Sequence, residues 1–259
     1  MTKTTHATAI IDRDASIDRD VSIGPFCIIK GKVTIRRGTR LLSHVVIEGR
    51  TEIGEECTIY PFTSIGLPPQ DMKYRNEDTG VIIGSGNIIR EYATIHRASV
   101  SGDGVTAIGD HNFLMAYVHI AHDCKIGSHV TMANAATLAG HVTIQDYAVI
   151  GGLVAVHQFT RIGAYAMVGG FSGIGQDIPP YTIASGARAK LFGLNTVGLK
   201  RHGFSDSSIN TLKKAYKILF REKRTLKDAI RKIKADLPST EEIKFFIEFL
   251  EKNKRGICR

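Results

Sequence analysis

Seven of the ten histidines fall in one stretch: His96, His111, His119, His122, His129, His141 and His157. Imidazole takes up and releases protons near neutral pH and is also a common metal ligand. Asp123 directly follows His122, and intervals of 18 link this pair to later residues: 122 plus 18 is Gly140, 140 plus 18 is Gln158, and 123 plus 18 is His141. In a coil whose turns stack about 4.8 Å apart, that spacing sets His122 against Gly140 and Asp123 beneath His141. A histidine beside a carboxylate, facing a glycine whose backbone N–H substrate can reach, is equipped as a general base next to an oxyanion donor. The segment His119-Ile-Ala-His122-Asp123 could equally bind zinc, with further imidazoles from neighbouring coils or another subunit. Spacing alone leaves both chemistries open. His111 and His129, beside Gly-Asp and Gly-Ser corners, read as solvated corner residues without a role.

The 18-residue interval comes from a shorter repeat. From Ile11 to Ile65 an aliphatic residue stands at every sixth position; the phase resumes at Ile83, Ile89 and Ile95, then runs from Ile108 to Ile174 after a one-residue slip. Four residues beyond these anchors lies a smaller set that includes Ala15, Val21, Cys27, Val33, Thr39 and Val45. Two inward positions in six, with glycine, Asp or Asn between, suit a short flat strand and a tight corner. Such units bury their apolar faces only by stacking, which predicts a triangular β-solenoid. None of the seven histidines occupies an inward position, so a core role does not explain them. Two insertions, 66–81 and 101–107, leave the register intact and predict loops projecting from a corner.

Beyond Gln176-Asp-Ile-Pro-Pro180, where prolines remove backbone donors, the solenoid is expected to end. Ile209, Leu212, Tyr216, Leu219 and Phe220 have helical spacing, as do Leu226, Ile230 and Ile233, and Ser239-Thr-Glu-Glu242 reads as a capping box before Ile243, Phe246, Ile247 and Leu250. The reading is therefore two domains, 1–186 and 187–259. Residues 187–259 hold 19 Lys+Arg and 8 Asp+Glu, or +11, and the remainder of the +9 chain carries 15 minus 17, or −2. A basic tail suits an anionic partner without saying which. With 43% hydrophobic residues the chain is a folded protein; its longest apolar run, Tyr147 to Val156, is half of what a membrane helix needs, and its start lacks a signal-peptide pattern. Cys27, Cys57, Cys124 and Cys258 show neither metal spacing nor a disulfide framework, and the first three fall on inward positions as small hydrophobes. A cytoplasmic location is expected.

The repeat is similar to that of the hexapeptide-repeat proteins, which implies a left-handed parallel β-helix followed here by a small C-terminal α-helical domain, and a homotrimer. More specific are Pro69-Gln-Asp-Met-Lys-Tyr74, Thr94-Ile-His-Arg97, His119-Ile-Ala-His-Asp-Cys124, Leu138-Ala-Gly-His141, Ala155-Val-His-Gln-Phe159, Met167-Val-Gly-Gly170, Gly193-Leu-Asn195 and Leu199-Lys-Arg201. With these, the chain closely resembles the acyl-carrier-protein-dependent UDP-N-acetylglucosamine O-acyltransferases that begin lipid A synthesis. The resemblance implies transfer of a 3-hydroxyacyl group from acyl carrier protein to the sugar 3-hydroxyl, without cofactor or metal. It implies His122 as general base, Asp123 as its orienter and Gly140 as oxyanion donor. It places Asp71, Met72, Lys73, His96, His119, His141, His157 and Gln158 around the substrates, Asn195 and Arg201 on the nucleotide, and Gly170 at the position that limits acyl length. A glycine there predicts a longer chain, near fourteen carbons.

A thioester is already activated, so a histidine base contributing roughly 10²- to 10⁴-fold suffices, and no covalent enzyme intermediate is needed. The tail is then suited to pyrophosphate and to an acidic carrier protein, not to nucleic acid. Val197 and His202 depart from the family's frequent Glu and second Arg. That keeps an amide-forming enzyme acting on a 3-amino sugar as the alternative, ahead of a zinc-dependent hydratase of the carbonic anhydrase type or a noncatalytic scaffold. The N-acyltransferases of the same pathway have an extra domain before their repeats, which here begin at Ile11.

Overall fold

The computed structural model describes residues 4–259; the first three residues of the expected 1–186 unit lie outside the described residues. Strands of two to four residues, one per hexapeptide, wind into three parallel sheets of a left-handed β-helix. Sheet neighbours are 18 residues apart in the regular coils, as where Thr137–Leu138 pairs with Ala155–Val156. Of the aliphatic anchors, those from Ile23 to Ile174 are at most 4% exposed, and only Ile11 and Ile17, in the open first coil, are partly exposed. Each such side chain stabilises the coil by about 1.5–3 kcal/mol, which is why the repeat tolerates so little variation. Cys27, Cys57 and Cys124 are fully buried inward residues, as their positions predict.

Both insertions appear as lengthened coils. Ser64 pairs with Thr94, 30 residues on, and Thr94 with His119, 25 residues on. Strands Ser64–Leu67, Gly80–Ile83 and Val105–Ile108 take in edges of the expected loops, so the first irregular segment shrinks to 68–79, while the second, bounded by Thr94–His96, shifts to 97–104.

The corners differ from expectation in composition. Many are made by histidine or aromatic residues in left-handed backbone conformation, among them Tyr117 (φ 64°), His141 (φ 61°), Tyr147 (φ 60°) and Phe159 (φ 63°), and Asp123 (φ 62°) makes another. Each costs roughly 1–3 kcal/mol for a residue other than glycine. Because corners recur every coil, their rings stack, as in Phe62–Tyr92–Tyr117 at about 5 Å, and each contact returns about 0.5–1.5 kcal/mol.

Strand pairing continues past Pro179 and Pro180, contrary to the expected stop. Thr182–Ser185 pairs in parallel with Met167–Val168 and antiparallel with Lys190–Leu194. The prolines precede the strand, so they remove no donor from its ladder. Four helices follow: α1 (Thr196–Arg201), α2 (Asp206–Phe220), α3 (Leu226–Asp236) and α4 (Glu241–Glu251). The short α1 has too few residues to show a period. α4 is capped by Thr240, whose side chain accepts from the Ile243 N–H, one residue later than the expected box. The Glu242 carboxylate is drawn to the Ser208 hydroxyl of α2 instead of closing that box. A second apolar cluster under these helices includes Leu212, Ile233 and Phe246. Arg161 ties the units together, pairing with Asp177 at 2.7 Å and donating to the Phe249 carbonyl at 2.9 Å. Among the described residues no helix is long and apolar enough to cross a membrane.

Candidate active site

Strands Thr94–His96, His119–Ile120, Thr137–Leu138 and Ala155–Val156 lie side by side in the nine-stranded sheet. Their outward residues wall a cavity of about 450 Å³ lined by Gln70, His96, His119, His122, Gly140 and Ala155, among others. At its edge the chain turns toward the eight-stranded sheet through His122 and Asp123. The left-handed backbone at Asp123 turns its carboxylate inward, to 1% exposure, while the His122 ring stays partly accessible.

His122 Nδ1 stands 2.8 Å from Asp123 Oδ2. A carboxylate can only accept, so Nδ1 carries the proton and Nε2 is left with a free lone pair. The ring lies across Gly140: a Cβ built there would come 2.6 Å from the His122 Cε1. Only glycine fits beneath that imidazole. The Gly140 N–H donates to no group among the described residues.

Burial alone would raise the Asp123 pKa, but hydrogen bonds from His122 and from the Ser99 hydroxyl and backbone hold it below the ordinary carboxylate range. The charge next to His122 is thereby kept. Desolvation, with the His96 ring nearby, pushes His119 down to about 4, so it is neutral, with Nδ1 2.7 Å from the Thr94 hydroxyl. His96 donates from Nδ1 to the Pro68 carbonyl at 2.6 Å, which anchors the 68–79 loop. His141 is lowered, chiefly by burial, and stacks on Phe159 at 4.5 Å. Cys124, immediately behind the dyad, is pushed up to about 12 by burial, which makes its thiol a poor nucleophile.

Ligand atoms of His122, Asp123 and His141 lie within 4.8 Å of one another, close enough to share an ion. Asp123 Oδ2, however, already accepts three hydrogen bonds, from His122 Nδ1 and from the Ser99 N–H and hydroxyl.

Of the expected site residues, the single chain brings His96, His119, His122, Asp123, Gly140 and His141 together. His157 borders a neighbouring cavity of about 560 Å³, which shares Ala155 and Val156 with the first. Asp71 caps its own loop, accepting from the Lys73 N–H; Met72 is 97% exposed. Asn195 is committed structurally, accepting from the Gly198 N–H and donating to the Tyr165 carbonyl. Asp71, Met72, Lys73, Gln158, Asn195 and Arg201 line neither cavity. An added Cβ at Gly170 would sit 3.2 Å from the Gly152 carbonyl oxygen. Gln70, Ser99 and Ser101 are additional. Gln70 could be found within the Pro69–Tyr74 motif, but the serines fall where the repeat is broken and no register reaches them. His202 packs edge-on against Tyr147 and Tyr165, which accounts for a ring where a second guanidinium is frequent.

A β-helix of hexapeptides with a histidine–aspartate pair against an open glycine defines a hexapeptide-repeat acyltransferase. The family description "bacterial transferase hexapeptide" matches residues 106–140, and "UDP N-acetylglucosamine O-acyltransferase, domain 2" matches residues 177–258. The chain is 70% identical over 254 residues to the acyl-[acyl-carrier-protein]–UDP-N-acetylglucosamine O-acyltransferase of Thermodesulfovibrio yellowstonii, covering 98% of each chain. It is 49% identical to that of Syntrophobacter fumaroxidans, covering 98% of this chain and 99% of the relative. Among solved structures, LpxA of Acinetobacter baumannii superposes with a TM-score of 0.97 at 46% identity, covering 98% of this chain and 99% of the other. The chain belongs to the acyl-[acyl-carrier-protein]–UDP-N-acetylglucosamine O-acyltransferase family and is an acyltransferase. The amide-forming and zinc-hydratase alternatives find no support among these relatives.

Proposed function

We propose that the protein transfers a 3-hydroxyacyl group from the thioester of acyl carrier protein to the 3-hydroxyl of UDP-N-acetylglucosamine, the first step of lipid A synthesis. His122 Nε2 takes the sugar hydroxyl proton as that oxygen attacks the thioester carbonyl. The Gly140 N–H donates to the resulting tetrahedral oxyanion. Collapse breaks the C–S bond, and the imidazolium returns its proton to the departing thiolate. Asp123 holds the tautomer this requires and offsets the transient positive charge. The observation that carries the reading is the His122 ring, 2.8 Å from Asp123 Oδ2 and lying across Gly140.

No cofactor or metal enters this scheme; the three hydrogen bonds already made by Asp123 Oδ2 favour a proton-transfer site over an ion site. His96, His119 and His141 serve the glucosamine and the reacting carbonyl, and the adjoining cavities beside His157 take the acyl chain, near fourteen carbons, with Gly170, which lines neither cavity, limiting its length. Asp71, Met72, Lys73, Gln158 and Arg201 complete the site in a homotrimer with sites between subunits, and Asn195 serves the nucleotide side by holding the segment that carries Arg201, its own side chain being engaged with Tyr165 and Gly198. Their place outside the single-chain cavities supports that assignment. The chain divides into a catalytic β-helix, 1–186, and a basic domain, 187–259, that meets carrier protein and pyrophosphate; most of each apolar cluster lies on its own side of that boundary, with Ala189, Leu191 and Cys258 returning to the β-helix core and Tyr181 joining the helical one. A cytoplasmic location fits four unpaired, buried cysteines.

Incubation with 3-hydroxyacyl carrier proteins of several lengths and UDP-N-acetylglucosamine should give an alkali-labile acylated sugar nucleotide. An alkali-stable product, or none, would overturn the assignment. Mixed trimers of His122→Ala and Arg201→Ala subunits should regain activity if the site spans subunits, and remain inactive if it does not.

A further inference from the structure

Residues 97–104 line no part of the cavity around His122, yet they supply most of what holds Asp123. Asp123 Oδ2 accepts from the Ser99 hydroxyl at 2.7 Å and the Ser99 N–H at 3.0 Å, besides His122 Nδ1 at 2.8 Å. The other oxygen, Oδ1, is buried without a hydrogen-bond partner. Gly102 backs it so closely that a Cβ there would lie 2.4 Å away. The orientation of this carboxylate is therefore fixed through Oδ2, and two of its three donors come from Ser99.

Hydrogen-bond direction follows from chemistry. An ionised carboxylate only accepts, so the Ser99 hydroxyl proton points to Oδ2 and its oxygen is left to accept. It takes the Ser101 hydroxyl at 2.6 Å and the Ser101 N–H at 3.3 Å. With that proton committed, Ser101 Oγ can only accept from His141 Nε2, 3.3 Å away. The chain therefore runs from His141 Nε2–H through Ser101 and Ser99 to Asp123, where it meets His122 Nδ1–H arriving from the other side. His122 is left with Nε2 free, and His141 with Nδ1 free.

We propose that Ser99 is a positioning residue for acyl transfer: with Ser101 it forms a one-directional hydrogen-bond chain that pins Asp123 against His122 and sets the tautomer of His141. This rests on the reading of His122 as base and Asp123 as its orienter.

The test is steady-state kinetics of the full-length protein with 3-hydroxyacyl carrier protein and UDP-N-acetylglucosamine. Ser99→Ala lowers kcat roughly 10-fold with little change in sugar-nucleotide KM, because a hydrogen bond to a buried charge is lost. Ser99→Thr, which keeps the hydroxyl, returns kcat to within about 3-fold of the parent. In an Asp123→Ala background, Ser99→Ala costs no more than about 2-fold further, since the group it acts through is gone. A parental kcat for Ser99→Ala beside an inactive Asp123→Ala overturns this proposal alone. So do losses that multiply in the double variant, or a raised KM at unchanged kcat. A fully active Asp123→Ala overturns the reading of the dyad, and this proposal with it.

Discussion

Two pairs of neighbouring histidine rings lie near corners of the β-helix, and only one is built for chemistry. His111 and His129 stack at 5.3 Å, and His129 stacks on Tyr147 at 4.6 Å, extending a column of rings along one edge of the β-helix. His122 and His141 meet edge-on at 5.3 Å, with an interplanar angle of 89°. The difference lies in coil position. His111 and His129 are themselves the left-handed corner residues, so their rings fall into the column. His122 precedes the corner and Asp123 occupies it, which turns the carboxylate inward and leaves the imidazole at the rim. A shift of one residue along the hexapeptide separates a structural histidine from a catalytic one.

A pair of glycine substitutions breaks or upholds this contrast most forcefully. Gly140 lies under the His122 ring and Gly86 under the His111 ring, where added Cβ atoms would come within 2.6 Å and 2.3 Å respectively. Gly140→Ala should lower kcat by roughly 10²- to 10³-fold, as loss of an oxyanion donor's geometry does. Gly86→Ala, strained further by a φ of 67°, should lower the melting temperature and leave kcat per folded molecule unchanged. Similar losses of kcat in both would erase the distinction.

At a third corner, Gly170→Met should move acyl preference toward shorter chains by about 10-fold, since even its Cβ would crowd the Gly152 carbonyl at 3.2 Å. Competition between carrier proteins of different acyl lengths measures it, and an unchanged preference would remove Gly170 from the channel. Between the tail and the coil, the +11 of residues 187–259 should make carrier-protein affinity fall a few-fold from 50 to 200 mM salt. Salt-independent affinity would assign that charge elsewhere.

The smallest effect is a pH slope. Burial holds the His119 pKa at about 4 in the folded chain, below the ordinary histidine value of 6.5, so between these values the unfolded chain binds the extra proton. Stability contributed by its burial is complete above pH 6.5 and declines as pH falls toward 4. His119→Gln should therefore lose less melting temperature than the parent between pH 7 and pH 5. Equal losses would mean that His119 titrates normally.

The β-helix was legible because every anchor position is filled by an aliphatic side chain and the second inward position by a smaller one, apolar or, as at Thr39, Asn87 and Asn112, polar, which writes the period into the residues. The same period led from His122 to Gly140 and His141. It failed where the chain leaves the repeat. Ser99 and Ser101 lie in the 97–104 insertion, so no interval points to them, although they hold Asp123. The corners were legible as turns but not as ring columns, since a left-handed tyrosine or phenylalanine is stabilised only by the coils above and below. The cap of α4 moved from Ser239 to Thr240 because Glu242 bonds Ser208 of another helix, a tertiary contact outside the local pattern.

The central claim, that His122 and not a corner histidine performs the proton transfer, is tested most directly by single-turnover acyl transfer in His122→Ala and His129→Ala. The account predicts that His129→Ala forms alkali-labile product at the parental rate while His122→Ala is slower by roughly 10²-fold or more. Parental turnover by His122→Ala, or an equal loss in both variants, would contradict it.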